Sequence, residues 1–406
     1  MLHCGLLGEK LGHSYSPMIH NQLADYEYRL YECPPEQLGD FLKNGAWDGL
    51  NVTIPYKKAV LPYCQELSET AQRLGNVNTL VRRSDGTLYG DNTDAYGFES
   101  MVHTCGVDVA GKKALVLGSG GASNTVCAVL KSMGAEVVVI SRSGENNYDN
   151  LDRHADAKVI VNTTPVGMYP KNGASPVNLK TFPQCECVLD VVYNPTRTAL
   201  ILQAEELGIP CKSGLHMLVG QAKRACERFT GTTIADREID RIEQFVDSHL
   251  ENIVLIGMPG CGKSTVAALL GEKTGRTVYD ADACIVEKIG MPIPEFFAQY
   301  GEGRFREVET EVLTELGKLS GAILSTGGGC VTREENYPLL HQNGRIFWLK
   351  RSLDKLPVDG RPISQANPLE TILERRLPLY TRFADVTVNN DGELEETIQT
   401  IMEEVQ

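Results

Sequence analysis

Short runs of apolar, mostly β-branched residues recur along the chain and alternate with segments whose apolar residues follow helical spacing. This alternation is typical of α/β proteins, in which strands and helices follow one another. Most runs are continuously apolar rather than alternating with polar residues, which predicts parallel strands covered on both faces. The predicted strands are Leu2–Leu7, Ala114–Leu117, Val137–Ile140, Val159–Val161, Val188–Val191, Ile253–Ile256, Ala322–Leu324 and Ile346–Leu349.

Two amphipathic patterns predict helices that organise the chain. The first covers 235–250, and we place a domain boundary just after it, near 250–251. The second ends the sequence. Glycine-rich turns follow predicted strands on both sides of the boundary, which suggests two nucleotide-binding domains. The apolar positions that define the helices are Ile239, Ile242, Val246 and Leu250 in the first, and Leu394, Ile398, Ile401 and Val405 in the second.

Composition and charge narrow the function classes. Of 406 residues, 42% are hydrophobic and 23% charged, which excludes a mostly disordered or fibrous chain. A formal net charge of −14 disfavours nucleic acid as a partner. No apolar run approaches the ~20 residues that span a bilayer, and no signal peptide is visible. The 12 cysteines lack zinc-ligand spacing, so we expect free thiols in a reducing cytoplasm.

The most complete chemical motif is a glycine-rich turn between strand Ile253–Ile256 and a predicted helix at Thr265–Leu270. Its residues, Gly257 to Ser264, fit the P-loop pattern G-x-x-x-x-G-K-S. Backbone N–H groups and a helix N-terminus cradle phosphate oxygens in such a loop. Lys263 would reach the β- and γ-phosphates, and the Ser264 hydroxyl would bind Mg²⁺. The alternative, a turn that only joins strand to helix, is disfavoured by the complete motif.

Five further motifs follow the P-loop in the second half of the chain. They are Tyr279-Asp280-Ala281-Asp282, Gly301 to Glu309, Ser325-Thr326-Gly327-Gly328-Gly329, Gly360-Arg361-Pro362 and Arg376 to Tyr380. Alone, each has an ordinary explanation as a solvated loop, a turn or a surface cation. Together and in this order they resemble shikimate kinase over nearly all of 251–406. The resemblance implies a P-loop domain of the nucleoside-monophosphate-kinase type, with a parallel sheet, that uses ATP and Mg²⁺.

The resemblance to the kinase family also implies residue roles. Asp280 would help Ser264 to hold Mg²⁺, and Asp282 would bind substrate hydroxyls and accept the proton of the attacking one. Arg361, on a lid that looks short at 352–365, would neutralise charge on the transferred phosphoryl group together with Lys263. The other implied residues are Gly260, Gly262, Lys263, Ser264 and Thr265 for the nucleotide, and Arg306, Gly328, Gly329 and Arg376 for the substrate, the two arginines gripping its carboxylate.

A second glycine-rich turn follows strand Ala114–Leu117 in the first half of the chain. It combines Gly118, Gly120, Gly121, Ala122 and Ser123 in a pattern that favours dinucleotide binding. The next predicted strand ends in Ser141-Arg142-Ser143. An NAD site would place Asp or Glu there for the ribose 2′-hydroxyl, whereas arginine suits the 2′-phosphate of NADP. We therefore predict an NADP site that includes Ser141 and Arg142.

Polar motifs surround this turn on both sides along the first half of the chain. They are Gly12 to Pro17, Asn51 to Lys57, Asn76 to Thr79, Gly90 to Asp94, Tyr193 to Thr196 and Gly214 to Gln221. Alone, each is typical of a helix cap, a turn or a surface ion pair. In this order they resemble shikimate dehydrogenase across about 1–250. The resemblance implies a substrate lobe, 1–103 plus 214–250, and a Rossmann-like NADP lobe, 104–213, with the active site in the cleft between them.

In such a dehydrogenase, negative charge develops on a ketone oxygen that must also gain a proton. Lys57 has a positive charge and three donors, so it is the candidate for that role. Asp94 would hold Lys57, and which of the two is the formal proton donor stays open. The other implied residues are Ser14 and Ser16 for the substrate carboxylate, Thr53, Asn78 and Gln221 for ring hydroxyls, Tyr193 beside the substrate and Gly214 near the nicotinamide.

Taken together, the two resemblances imply a bifunctional enzyme that acts on small molecules. The first half would reduce 3-dehydroshikimate to shikimate with NADPH, and the second would phosphorylate shikimate with ATP to shikimate 3-phosphate. One alternative is that a single half is active and the other is a regulatory or binding module. Another is a non-catalytic nucleotide sensor. We expect neither nucleic acid nor membrane as a partner, and the oligomeric state stays open.

Overall fold

A computed structural model describes residues 1–12, 14–356 and 368–405. Arg361, the predicted lid residue, lies outside the described residues. The chain forms two compact units, one made of Met1–Met168 with Ala174–Val246 and the other of Tyr169–Gly173 with Asp247–Gln406. The division at residue 250 and the division of the first half into two lobes stay predictions.

The first unit contains a mixed six-stranded sheet near its N-terminus. Its strands are β1 His3–Gly8, β2 Glu27–Glu32, β3 Gly49–Val52, β4 Glu66–Leu67, β5 Thr79–Arg82 and β6 Leu88–Asp91. They lie in the order β2-β1-β3-β5-β6-β4. Strands β2 and β3 flank β1 in parallel, whereas β5 pairs antiparallel with both β3 and β6.

The second sheet of this unit is parallel throughout. Its strands are β7 Lys113–Leu117, β8 Glu136–Ile140, β9 Val159–Asn162, β10 Cys187–Asp190 and β11 Cys211–Ser213, in the order β11-β10-β9-β7-β8. Alternate residues of β7 enter opposite cores: Ala114 and Val116 belong to one cluster, Leu115 and Leu117 to another. Covering on both faces is the physical reason for the continuously apolar sequence.

Eight helices accompany the two sheets in the described part of this region. They are α1 Ser16–Leu23, α2 Leu38–Asn44, α3 Glu69–Leu74, α4 Asp94–Thr104, α5 Gly121–Ser132, α6 Ala199–Glu206, α7 Gly214–Thr230 and α8 Arg237–Leu250. Helix α4 packs tightly on α7 because glycines lie at the crossing. A Cβ on Gly97 would collide with the Met217 carbonyl oxygen, and one on Gly220 would approach the Gly97 Cα to 3.1 Å.

The second unit is built on a parallel five-stranded sheet. Its strands are β12 Asn252–Ile256, β13 Val278–Asp280, β14 Ile323–Ser325, β15 Gly344–Lys350 and β16 Val386–Asn389, in the order β13-β14-β12-β15-β16. Its helices are α9 Lys263–Thr274, α10 Ala281–Ile289, α11 Ile293–Leu316, α12 Asn336–His341, α13 Leu369–Phe383 and α14 Leu394–Val405. Helix α11 is kinked at Gly301, where φ is 79°.

Every predicted strand is present, with ends that differ by at most two residues from the prediction. The two amphipathic helices are also present, as α8 and α14, and the helix predicted at Thr265–Leu270 lies within α9. The sequence did not predict the antiparallel pairing of β3, β5 and β6. The described residues also include short 3-10 helices at Pro35–Gln37, Leu61–Tyr63, Leu151–His154, Leu179–Thr181, Cys330–Thr332 and Leu353–Lys355. Among the described residues, none of the helices combines the length and apolarity that crossing a membrane requires.

Candidate active sites

The second unit holds a cavity of about 870 Å³ at the carboxyl ends of its parallel strands, where ligands bind in open α/β sheets. The loop after β12 forms its floor, and α11 and α13 contribute side chains from the sides. The cavity is lined by almost all of the site residues that the sequence predicted in the second half of the chain. They are Gly260, Gly262, Lys263, Ser264, Thr265, Asp280, Asp282, Arg306, Gly328, Gly329 and Arg376.

The loop between β12 and α9 has the backbone geometry of a phosphate cradle. Gly257, Gly260 and Gly262 have φ values of 145°, 82° and 100°, which disfavour residues with a Cβ. The Lys263 ammonium is buried and donates to the carbonyl oxygens of Gly257 at 3.0 Å and Met258 at 3.1 Å. No side chain caps the N-terminus of α9. The uncapped N–H groups and the lysine fit a nucleotide phosphate chain.

Two oxygen donors meet next to this loop. The Ser264 hydroxyl donates to Asp280 Oδ2 at 2.8 Å, and the other Asp280 oxygen accepts from the backbone N–H of Asp282 at 3.0 Å. One oxygen thus orients the carboxylate by capping α10, while the other faces the serine. A hydroxyl and a carboxylate beside a phosphate cradle fit Mg²⁺, which prefers oxygen ligands and keeps several waters.

Asp282 opens to the cavity, where it can meet a substrate hydroxyl. The cavity walls desolvate it and, together with the Asp280 charge, raise its pKa. Lys263 and Arg306 oppose this shift, since their positive charges favour the carboxylate form. The result is a carboxylate with increased basicity, which suits a group that accepts a proton.

Two arginines, Arg306 and Arg376, line the same cavity, and each is held by hydrogen bonds. Arg306 is buried and pairs with Glu309 at 2.7 Å and with Glu302 at 3.1 Å. Arg376 donates to the Gly328 carbonyl oxygen at 3.0 Å, and a Cβ on Gly329 would collide with the Arg306 guanidinium. Both arginines therefore lie against the glycine-rich loop, where their guanidinium groups could bind a carboxylate.

Glu309 is a site residue that sequence reasoning did not assign. It lies in the cavity wall, is 1% exposed, and its Oε1 atom has no hydrogen-bond partner. The available signal was the spacing of Arg306 and Glu309, three residues apart on a helix, which places them on one face.

In the first unit, the structure brings Lys57, Asp94 and Asn78 into direct contact. Lys57 Nζ donates to Asp94 Oδ2 at 2.5 Å, and Asn78 Nδ2 donates to Asp94 Oδ1 at 2.9 Å. Lys57 lies beyond β3, Asn78 immediately precedes β5 and Asp94 begins α4. The lysine side chain is 33% exposed and that of Asp94 16%. The pair is therefore oriented by protein on one side and accessible to a small molecule on the other.

The remaining predicted substrate residues lie on neighbouring elements. Ser14 accepts from the backbone N–H of Ser16 at 3.2 Å, and Ser16 begins α1. The ring of Tyr15, between them, lies 5.7 Å from the ring of Tyr193, so both segments meet. Burial raises the pKa of the Tyr193 hydroxyl, which keeps it a neutral donor. Thr53 follows β3 directly.

Helix α7 carries the last two predicted residues of this site. Gly214 begins the helix, and its N–H donates to the Val192 carbonyl oxygen at 3.0 Å. A Cβ on Gly214 would collide with the Val191 carbonyl oxygen, so this close approach requires glycine. Gln221 is buried on the same helix and lies against Gly97 of α4, the helix that begins with Asp94.

The turn between β7 and α5 fits a dinucleotide. Gly118 has a φ of 106°, and the positions of Gly120 and Gly121 have open space where a Cβ would lie. No side chain caps the N-terminus of α5, which includes Ala122, so its N–H groups can meet a pyrophosphate. Ser141 and the exposed Arg142 directly follow β8. The donor set at this strand end fits a 2′-phosphate.

These features define the chain as a two-part α/β enzyme, with a dinucleotide-dependent oxidoreductase module followed by a P-loop kinase module. The family model "Shikimate dehydrogenase substrate binding domain" matches residues 6–80, and the model "Shikimate kinase" matches residues 259–406. The chain belongs to the shikimate dehydrogenase family, and its C-terminal part is a shikimate kinase domain.

Relatives and solved structures support the dehydrogenase part. The shikimate dehydrogenase (NADP(+)) of Clostridium perfringens is 36% identical over 252 residues, which cover 57% of this chain and 93% of the relative. That of Halothermothrix orenii is 37% identical over 263 residues, covering 56% and 90%. Shikimate 5-dehydrogenase of Thermus thermophilus, solved with NADP(H) and shikimate, is 32% identical, with a TM-score of 0.55 and coverage of 60% and 99%.

A chorismate mutase/shikimate 5-dehydrogenase fusion protein from Clostridium acetobutylicum is also similar. It is 37% identical, with a TM-score of 0.58, and the match covers 61% of this chain and 97% of that structure. The match shows the same dehydrogenase fold in a fusion protein whose name also includes a second enzyme.

Proposed function

We propose that this chain catalyses two consecutive reactions: NADPH-dependent reduction of 3-dehydroshikimate to shikimate, and ATP-dependent phosphorylation of shikimate to shikimate 3-phosphate. The main support is that one polypeptide holds both the oriented Lys57–Asp94 pair and a complete P-loop in a cavity that Arg306 and Arg376 also line. The family matches over both parts support the same pair of activities.

In the reduction, NADPH, when bound, would supply a hydride to the ketone carbon of the substrate. Lys57 stabilises the negative charge that develops on the ketone oxygen and lies where it can deliver the proton that completes the hydroxyl group. Asp94 holds Lys57 in position. Ser14 and Ser16 bind the substrate carboxylate, and Tyr193 flanks the ring.

Three further side chains, Thr53, Asn78 and Gln221, bind the ring hydroxyls. For the dinucleotide, the turn at Gly118, Gly120 and Gly121 with Ala122 holds the pyrophosphate, and Ser141 and Arg142 hold the 2′-phosphate. Gly214 lets the backbone approach the nicotinamide.

In the phosphorylation, Asp282 accepts the proton of the attacking shikimate hydroxyl, whose oxygen bonds to the terminal phosphorus of ATP while ADP leaves. Lys263 neutralises phosphate charge in the cradle of Gly260 and Gly262, with Thr265 beside it. Mg²⁺ compensates phosphate charge when it is bound by Ser264 and Asp280. Arg306 and Arg376 hold the substrate carboxylate, and Gly328 and Gly329 allow the ring to approach the backbone.

The proposed substrates are small organic acids, and the net charge of −14 disfavours nucleic acid as an additional partner. All 12 cysteines are free thiols, which is typical of proteins of a reducing compartment. We therefore place the two activities in the cytoplasm.

The test is a product analysis on the full chain. Purified protein is incubated with 3-dehydroshikimate, NADPH and Mg-ATP, and product masses are followed over time. Shikimate followed by shikimate 3-phosphate is the expected course. Shikimate that accumulates without phosphorylation would contradict the kinase assignment and support the alternative of a single active half. Unchanged 3-dehydroshikimate would contradict the dehydrogenase assignment.

A further inference from the structure

Below the Lys57–Asp94 pair, a chain of buried hydrogen bonds runs across the mixed sheet to Tyr28 on β2. The Tyr28 hydroxyl donates to Asn51 Oδ1 at 2.8 Å, and Asn51 Nδ2 lies 3.5 Å from Thr79 Oγ1. Thr79 Oγ1 lies 3.1 Å from Asn78 Oδ1, and Asn78 Nδ2 reaches Asp94. Asn51, Thr79 and Asn78 are all less than 5% exposed.

The direction of donation along this chain is fixed at both ends. Asn78 Oδ1 accepts from the backbone N–H of Thr93 at 2.7 Å, so the opposite nitrogen of the amide must face Asp94. At the other end, the neutral Tyr28 hydroxyl donates to Asn51 Oδ1, since an amide oxygen can only accept. Asn51 therefore presents its NH₂ group to Thr79, whose hydroxyl lies 3.1 Å from both Asn78 Oδ1 and Thr93 Oγ1.

The tyrosine at the start of the chain is itself held in place. The ring of His20 stacks on that of Tyr28 with centroids 3.9 Å apart and planes 10° apart. His20 Nδ1 lies 2.5 Å from the Tyr26 hydroxyl, and burial lowers the pKa of His20 to about 3. A neutral imidazole thus supports the face of Tyr28 without adding a charge beneath the active site.

The strands set the register of these contacts. In the antiparallel pairing of β3 with β5, Asn51 lies directly opposite Thr79. Asn51 belongs to the motif Asn51 to Lys57, in which only Thr53 and Lys57 have a role so far. Its buried amide needs partners, since an unpartnered polar group in the interior is costly. The series of hydrogen bonds supplies these partners, and it ends at the Asp94 carboxylate, which holds Lys57.

We propose that Tyr28, Asn51 and Thr79 are positioning residues for the reduction: they fix the amide of Asn78, which orients the Asp94 carboxylate toward Lys57. This inference rests on the proposed role of the Lys57–Asp94 pair. Its consequence is kinetic. If one link is removed, Asn78 keeps its bond to the Thr93 N–H but loses support from the Thr79 side, and Asp94 holds the lysine less often in the geometry that the ketone oxygen requires.

The test uses two near-isosteric variants of the full chain. Tyr28→Phe and Thr79→Val each remove one hydroxyl from the series and preserve side-chain volume. We expect each to lower kcat for reduction by about 3- to 10-fold, with KM for 3-dehydroshikimate within about 2-fold of wild type. Both substitutions act through the same series of hydrogen bonds. We therefore expect kcat of the double variant to be only slightly lower than kcat of the more affected single variant.

Three controls separate positioning from folding. Thr79→Ser returns a hydroxyl and is expected to restore most of the rate that Thr79→Val loses. Tyr31→Phe removes a hydroxyl from the same strand β2 outside the series and is expected to leave kcat unchanged. Kinase activity of the same polypeptide reports the amount of protein assayed, and a thermal melt that follows the first unit reports its stability in each variant.

The outcomes distinguish this proposal from the proposed function. Wild-type kcat in either single variant, or a double variant whose loss equals the product of the single losses, would overturn the positioning role. A Lys57→Met variant is assayed in parallel. If it loses reduction while Tyr28→Phe and Thr79→Val do not, only the positioning role fails; if Lys57→Met also reduces normally, the assignment of the catalytic pair fails.

Discussion

The Lys57 ammonium lies 2.5 Å from the Asp94 carboxylate, with the second carboxylate oxygen held by Asn78. An ordinary surface ion pair is worth about 0–1 kcal/mol and is free to separate. This pair differs because Asp94 is held at both oxygens and is only 16% exposed. Its geometry is therefore maintained without substrate, as a preorganised catalytic pair requires.

Replacing Lys57 should silence one reaction only. Lys57→Met removes the charge and the donors that face the developing oxyanion, so we expect reduction to fall by about 10²- to 10⁴-fold. Phosphorylation of shikimate should be unchanged, since that site lies in the other unit. NADPH absorbance and a coupled ADP assay measure the two rates. The matched control is Lys58→Met, an exposed neighbour, and an equal loss in this control would contradict the assignment.

Replacing Lys263 should have the opposite selectivity. Lys263→Met leaves the glycine cradle in place but removes the cation that would meet phosphate, so kinase kcat should fall by at least about 10²-fold. Reduction should proceed at the wild-type rate. Lys273→Met, at the exposed end of the same helix α9, is the control and should retain both activities. Normal kinase activity in Lys263→Met would show that the P-loop lysine is dispensable.

A single methyl group should disturb the carboxylate-binding wall. The Cβ of Gly329→Ala would occupy the position of the Arg306 guanidinium, so the arginine must move. We expect KM for shikimate to rise by about 10-fold or more, since a charge-assisted hydrogen bond is worth about 1.5–3 kcal/mol. Gly303→Ala, which points into open space, is the control. Steady-state kinetics decide, and similar KM values in both variants would contradict the proposed wall.

Cofactor preference should depend on the arginine after β8. Arg142→Ser removes the positive charge offered to the 2′-phosphate, so the ratio of kcat/KM for NADPH to that for NADH should fall by about 10-fold or more. Lys131→Ser removes a positive charge from the C-terminal end of α5, far from the cofactor turn, and should leave the ratio unchanged. If both variants keep the wild-type ratio, Arg142 does not select the phosphate.

A buried carboxyl should make stability depend on pH. Asp190 is fully buried at the end of β10, and burial raises its pKa from 3.8 to about 7. Between these values the folded state binds more protons than the unfolded state, so the free energy of unfolding falls as pH rises from 4 to 7. This group's stabilising contribution is complete below pH 3.8 and is lost as pH rises through about 7.

Asp190→Asn removes that titration while it keeps an oxygen for the Val192 N–H, which donates to Asp190 at 3.0 Å. The melting temperature measured by calorimetry should therefore change between pH 5 and pH 8 by a few degrees less in the variant than in wild type. The transition of the first unit is the one to follow, because two units need not unfold together. An unchanged pH dependence would assign the titration to other groups.

The sequence determined the features whose physics is local. The continuously apolar strands follow from burial on both faces of parallel sheets, and they appear within two residues of the predicted positions. The P-loop is also local, because its glycines, lysine and serine lie within eight consecutive residues between a strand and a helix. The family resemblances over both halves rest on such ordered motifs, and the comparisons confirm both families.

The tertiary structure alone decided how distant side chains meet. No local pattern indicates that Asn51 lies opposite Thr79, because that contact depends on the register of two antiparallel strands, and a slip of one residue would turn the side chains to the other face. The contact of Lys57 with Asp94 likewise depends on how the loop after β3 meets the start of α4. Burial of Glu309 against Arg306 depends on packing around the cavity. These contacts set the orientation of the reacting groups, and such an orientation arises only after the chain has folded.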